Sequence, residues 1–201
     1  MRRAANMLIA PQHPRTRSVP PERRSVGRLP PVRVRLERVT ELNSGDLQAY
    51  AAERVALEEG GPLLLEAIAN PDAYLESVRR FAEGIDLPSN RVPGFEYWLL
   101  AGKRILGNCR IRLELIPEIE LDGGHVSYDV RPSERGRGYG RELLRLALVE
   151  CRRLGLTRVL LTTAPDNERS IRVIRANGGV ELDCPVSPFS GHRQIRWQIF
   201  L

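Results

Sequence analysis

The chain has 201 residues, room for one substantial core or two small ones, and 42% of them are apolar, an ordinary share for a globular protein. Its formal charge of +6 is carried by the first 30 residues, where seven arginines stand against Glu22 alone, and the rest of the chain balances. A neutral folded body argues against a nucleic-acid surface on the core, and the absence of a long apolar run argues against a membrane span.

Cys109, Cys151 and Cys184 are odd in number and lack metal-ligand spacing, so neither a zinc site nor a full disulfide framework is expected, and a cytoplasmic, reducing location fits. Prolines 11, 14, 20, 21, 30 and 31 sit among arginines in the leader. Residues 1–30 therefore read as a disordered extension, and residues 31–201 as a single domain.

The alternation of VRVRLERV predicts a first strand with Val32, Val34 and Leu36 facing inward. Helical patterns follow over 46–58 and 71–83, the second opened by Asn70 as cap with Pro71 in the first turn, and GGPLLLEAIAN between them reads as a short helix or turn. FEYWLLAGKRILGNCRIRLEL divides into two strands around Ala101-Gly102, and GGHVSYDV supplies another. Leu143, Leu144, Ala147, Leu148 and Cys151 form the apolar face of a helix ended by Gly155. TRVLLTT reads as a strand buried on both faces, NERSIRVIRANGG as a second capped helix, and VELDC and RQIRWQIFL as closing strands. The expected class is α/β (α+β): a mixed, strongly twisted central sheet of about six to seven strands flanked by helices.

The most informative segment is RGRGYG, residues 135–140, between the strand ending at Val130 and the next helix. A helix N-terminus leaves several N–H groups unpaired, glycine permits close approach, and phosphate oxygens suit such donors. A phosphate-bearing ligand is therefore expected here, with Arg135, Arg137 and Arg141 adding charge. The lysine and hydroxyl of GxxxxGK[ST] are missing, which disfavours a nucleotide triphosphatase, and no GxGxxG turn with a downstream acidic residue supports a dinucleotide oxidoreductase.

The element order and these motifs resemble the GCN5-related N-acetyltransferase (GNAT) family over roughly residues 32–200. The family's phosphate-loop pattern is Arg or Gln, two residues, Gly, one residue, then Gly or Ala; Arg135, Gly138 and Gly140 occupy those positions. Asn167 and Ser170 match the polar and small positions of its second cofactor-facing segment, and RVPGFEYWLL and GGH resemble an uncharacterised bacterial subgroup.

The resemblance implies an acetyl-CoA-dependent N-acyltransferase without a metal. Acetyl-CoA would bind through Tyr128, Val130, Arg135, Gly136, Arg137, Gly138, Tyr139, Gly140, Arg141, Asn167 and Ser170, its acetyl carbonyl meeting the Val130 N–H. An acetyl group would pass directly to a primary amine on a small molecule or peptide. Many members place a tyrosine four residues beyond the small position to protonate the departing thiolate; here that position is Ile174. The departure leaves a non-catalytic acyl-CoA-binding or regulatory module as the alternative.

His125 and Glu96 are the catalytic candidates: a histidine whose ordinary pKa suits neutral-pH proton transfer, and a cleft carboxylate able to attract a cationic amine. Each has a structural counterpart reading, as a hydrogen-bonded histidine and a solvated strand residue. Asp129 and Tyr128 are further candidates for accepting the amine proton. Phe95 or Tyr97 could line an amine pocket, whereas Trp98 is expected in the core. The final strand either pairs across a homodimer or finishes the monomer's sheet.

Overall fold

The computed structural model describes residues 33–39, 44–57, 59 and 62–201. The 1–30 extension and Val32 lie outside the described residues, as does Glu58, where the first helix was expected to end. The elements are β1 (Val34–Arg38), α1 (Ser44–Val55), α2 (Pro62–Ala69), α3 (Pro71–Glu83), β2 (Phe95–Ala101), β3 (Arg104–Ile111), α4 (Pro117–Asp122), β4 (Val126–Val130), α5 (Tyr139–Arg153), β5 (Arg158–Thr163), α6 (Glu168–Ala176), β6 (Val180–Asp183) and β7 (Ile195–Phe200). Asn70 caps α3 as expected, its side-chain oxygen accepting from the Ala73 N–H at 3.1 Å.

Two antiparallel sheets result, in the orders β1-β2-β3-β4 and β5-β7-β6. Their backbones are joined at the base of β4 and β5, through an isolated bridge between Gly124 and Leu161 and a bond from the His125 N–H to the Leu160 carbonyl at 2.8 Å. Beyond that point the two strands do not pair, and the gap between them opens toward the start of α5.

Alternation along β2 builds the core on two sides at once. Tyr97 and Leu99 face α5 and the second sheet, in a cluster with Cys109, Ile111, Val126, Leu143, Leu144, Leu161 and Trp197. Trp98 and Leu100 face the opposite way, onto Leu47, Tyr50, Ala51, Tyr74 and Val78 of α1 and α3. Trp98 and Trp197 are each 1% exposed, and truncating either to alanine costs about 3–5 kcal/mol.

β5 departs from the expectation of burial on both faces. Val159, Leu161 and Thr163 are buried, but Leu160 and Thr162 are half-buried and Arg158 is exposed. The six-residue α4 packs against β5, and the apolar pattern does not announce it.

An ion pair between a buried arginine and a half-buried glutamate fixes the approach to the phosphate loop. Arg131, 2% exposed, donates to Glu53 Oε1 at 2.7 Å and to the Ile105 carbonyl at 3.2 Å, while Glu53 accepts from the Ser133 hydroxyl at 2.7 Å. The Arg131 hydrogen bond pulls the Glu53 carboxyl down from its ordinary 4.5 to about 2. A depressed folded-state pKa contributes stability above the ordinary value, and that contribution fades as pH falls through the folded one. The melting-temperature gap between wild type and Glu53→Gln is therefore expected to hold from pH 7 to about 5, then narrow toward pH 2. A gap independent of pH would show that the pair does not work this way.

Candidate functional site

A cleft of about 840 Å³ opens between the end of β4, the start of α5 and the face of α6. Strand β4 supplies Tyr128, Asp129 and Val130; the following turn and α5 supply Arg135, Gly136, Gly138, Tyr139, Gly140 and Arg141; α6 supplies Ser170, with Asn167 as its cap. Of the sequence-expected cofactor residues, Arg137 alone does not line the cleft, and its guanidinium bonds Glu134 at 3.0 Å.

The loop has the conformation its glycines allow. Gly138 caps α5 at a φ of 87°, in the left-handed region, and an added Cβ would meet nothing within 4 Å. The first α5 amide with an acceptor inside the helix is that of Glu142, bonded to the Gly138 carbonyl at 3.3 Å. The amides of Tyr139, Gly140 and Arg141 thus lie at the unpaired start of a fifteen-residue helix, where partial positive charge accumulates. Arg141 and Arg169 line the same end of the cleft.

Across the gap, Asn167 Oδ1 accepts from the Ser170 N–H at 3.1 Å, and the Tyr128 hydroxyl sits 2.8 Å from Ser170 Oγ. Burial pushes the Tyr128 phenol up to about 12, so it keeps its proton at neutral pH. Ile174 is fully buried in the core and contributes nothing to the cleft.

The Val130 amide is not the free donor the sequence suggested. Its N–H is bonded by the side chain of the preceding residue, Asp129 Oδ1, at 2.8 Å. The ladder shows which donor remains. Arg131 donates to the Leu106 carbonyl and Arg112 to that of His125, so the hydrogen-bonded positions of β4 are odd-numbered. The Tyr128 N–H therefore points away from β3 into the gap.

Both catalytic candidates lie outside this cleft. His125 precedes β4, and its Nδ1 accepts from the Leu160 N–H at 3.0 Å; burial lowers its pKa from the ordinary value. Glu96, 5% exposed, accepts from the Tyr74 hydroxyl at 3.0 Å, Asn108 Nδ2 at 3.3 Å and Arg110 at 2.8 Å. It borders a separate cavity of about 400 Å³ beside α3. Tyr97 is buried with its hydroxyl on Glu150, and Phe95 packs under the Arg38 guanidinium, so neither lines the cleft. Sequence reasoning missed Arg54 and Glu59, which arrive from α1 and its following loop, and the α6 face formed by Arg169, Arg172, Val173 and Ala176. The latter could have been found from its helical spacing.

A strand-turn-helix with glycine-lined amides, facing a second strand that diverges, is reinforced by direct comparison. The description Acetyltransferase (GNAT) family matches residues 67–178, more than half of the chain. The chain belongs to the GNAT acetyltransferase family. Solved structures of this GNAT fold include a ribosomal-protein-S5-alanine acetyltransferase from Vibrio fischeri, 15% identical, with a TM-score of 0.59 over 83% of this chain and 91% of that one. RimJ of Mycobacterium smegmatis in complex with CoA-disulfide is 15% identical, with a TM-score of 0.60 over 83% and 81%. A spermidine N-acetyltransferase SpeG chimera from Vibrio cholerae and hSSAT is 18% identical, with a TM-score of 0.56 over 83% and 95%. At such identities the likeness shows the fold. No curated protein matches the chain.

The residues present fit CoA. The GNAT loop offers unpaired amides and open space above Gly138 for a pyrophosphate, and the unpaired strand edge offers a backbone donor beside it. Among the described residues no group of three or more His, Cys, Asp or Glu is arranged to hold a metal ion.

Proposed function

We propose that this GNAT protein transfers an acetyl group from acetyl-CoA directly to a primary amine in the β4–β5 cleft. The observation that carries the proposal is the unpaired strand edge leading straight onto the α5 N-terminus, with Gly138 leaving the approach open. Acetyl-CoA supplies the activated acyl group. The amides of Gly136 through Arg141 hold its phosphates, and Asn167 and Ser170 border its arm.

The Tyr128 N–H is the donor best placed for negative charge developing on an acyl oxygen, in the place first assigned to Val130. The protonated Tyr128 phenol, paired with Ser170 Oγ, gives the cleft a hydroxyl that can donate a proton to a departing thiolate, which leaves as the thiol. Most of the rate gain expected of such a site comes from holding two reactants together, which requires no covalent residue. Ile174 supports the second reading, an acyl-CoA-binding module without turnover, because α6 presents no hydroxyl at that position.

The test is release of CoA thiol from acetyl-CoA by the purified protein across polyamines, amino acids, aminoglycosides and peptides. The panel includes spermidine and an alanine-containing peptide, since two of the similar structures are named for spermidine and for an alanine of ribosomal protein S5. Acceptor-dependent release is expected. Saturable acetyl-CoA binding without release for any acceptor would favour the binding module.

A further inference from the structure

Arg135 opens the phosphate-loop pattern and lines the cleft, yet its guanidinium is held by protein acceptors. Its Nε donates to the Val130 carbonyl at 3.0 Å, NH1 donates to Glu59 Oε1 at 2.7 Å, and NH2 bonds Glu59 Oε2 and, at 3.2 Å, Asp129 Oδ1. All three nitrogens are thus engaged. Arg54 closes the figure from α1: its NH2 lies 2.7 Å from Asp129 Oδ2 and donates to the Glu59 carbonyl at 3.3 Å.

The four residues form a closed ring with two positive and two negative charges. It joins the end of β4 and the phosphate loop to α1 and the chain just beyond it. Its members are between 16% and 35% exposed at the side chain, shielded enough to resist the screening that makes surface pairs weak. Asp129 is also the residue that bonds the Val130 amide, so the same ring decides which strand amide is left for a ligand.

We propose that this ring is a strut: the Arg135 backbone serves the cofactor loop, while its side chain transmits the loop's position to α1. A ligand that fixes residues 135–141 then also fixes α1, and by linkage α1 tightens the loop to the same degree. Arg135 is here a positioning residue for α1 and the cofactor loop. The inference rests on acetyl-CoA binding in the cleft.

The experiment measures calorimetric acetyl-CoA affinity together with amide hydrogen exchange in α1, Ser44–Val55, with and without acetyl-CoA. It compares wild type, Glu59→Gln, Arg135→Lys and the charge-neutral double variant Arg135→Gln/Glu59→Gln. In the wild type acetyl-CoA is expected to slow α1 exchange about fivefold or more, the lower end of ordinary coupling between sites. The double variant should weaken acetyl-CoA binding by about the coupling factor itself, about fivefold and short of tenfold, since no phosphate contact is lost, while the slowing disappears. Arg135→Lys should behave alike, because one ammonium cannot replace a fork that reaches Glu59, Asp129 and the Val130 carbonyl together.

A tenfold or greater loss of affinity in the double variant, with Glu59→Gln binding normally, would assign the guanidinium to the phosphates and overturn the strut. Undiminished slowing in every variant would overturn it as well. Failure of the wild type to bind acetyl-CoA is a separate result, which removes the cofactor reading and the strut together.

Discussion

Gly138→Trp is expected to abolish measurable acetyl-CoA binding while leaving the domain folded. Gly138 sits at a φ of 87° with nothing within 4 Å of where a Cβ would be, so the indole meets no protein atom at its root and projects into the cleft. It would cover the amides at the start of α5 and exclude the pyrophosphate. Losing two charge-assisted hydrogen bonds, each contributing about 1.5–3 kcal/mol, weakens binding by about 100-fold or more. The left-handed backbone costs a non-glycine residue about 1–2 kcal/mol, a fall of about 2–8 °C in melting temperature for a domain of this size. Calorimetry and thermal unfolding separate the two effects. A variant that still binds acetyl-CoA with wild-type affinity would remove the loop from the account.

Gly107→Ala is expected to lower the stability of the domain strongly for a single added methyl. Gly107 lies opposite Val130 in the β3–β4 ladder, and an added Cβ would stand 2.4 Å from the Asp129 carbonyl oxygen, 3.2 Å from Val130 Cα and 3.3 Å from Leu143 Cδ2. The first two are backbone atoms that no rotamer change can move, so the strands must separate. Overpacking of this severity costs about 3 kcal/mol or more, lowering the melting temperature by about 6–12 °C. Gly102→Ala is the control: its φ is 59° but nothing lies within 4 Å of the new Cβ, so only the backbone term of about 1–2 kcal/mol applies. Equal melting temperatures for the two variants would contradict the crowding argument. Because Gly107 abuts Asp129 and Val130, its substitution should also disturb the strut and the amide edge of the cleft.

The fold was legible wherever a local rule and a burial pattern agreed. The hairpin at Ala101-Gly102, the Asn70 cap, the α5 apolar face and the glycine loop needed only neighbours within a few residues. α4 was not legible, because PEIELD carries four polar or proline residues and a single buried side chain, Ile119. The cleft was legible in its backbone parts for the same reason: amides are presented by the chain path, which glycines and helix starts announce.

The side-chain chemistry was not. The partner of Arg135 is Glu59, 76 residues away, and the partners of Glu96 come from α3 and β3. A sequence shows the charge of each residue but not which opposite charge folding brings beside it. The same gap explains Val130, whose amide is unpaired in the strand ladder but is taken by the Asp129 carboxylate. His125 reads as a titrating group from its residue type, and only the position of Leu160 reveals that its Nδ1 already accepts a backbone bond.

The most direct test of the central claim is a crystal structure of the protein with acetyl-CoA. The account predicts the pyrophosphate on the amides of residues 136–141 and the thioester carbonyl about 3 Å from the Tyr128 nitrogen, the distance of an ordinary N–H to oxygen bond. Phosphates bound elsewhere, with the space between β4 and β5 left clear, would contradict it.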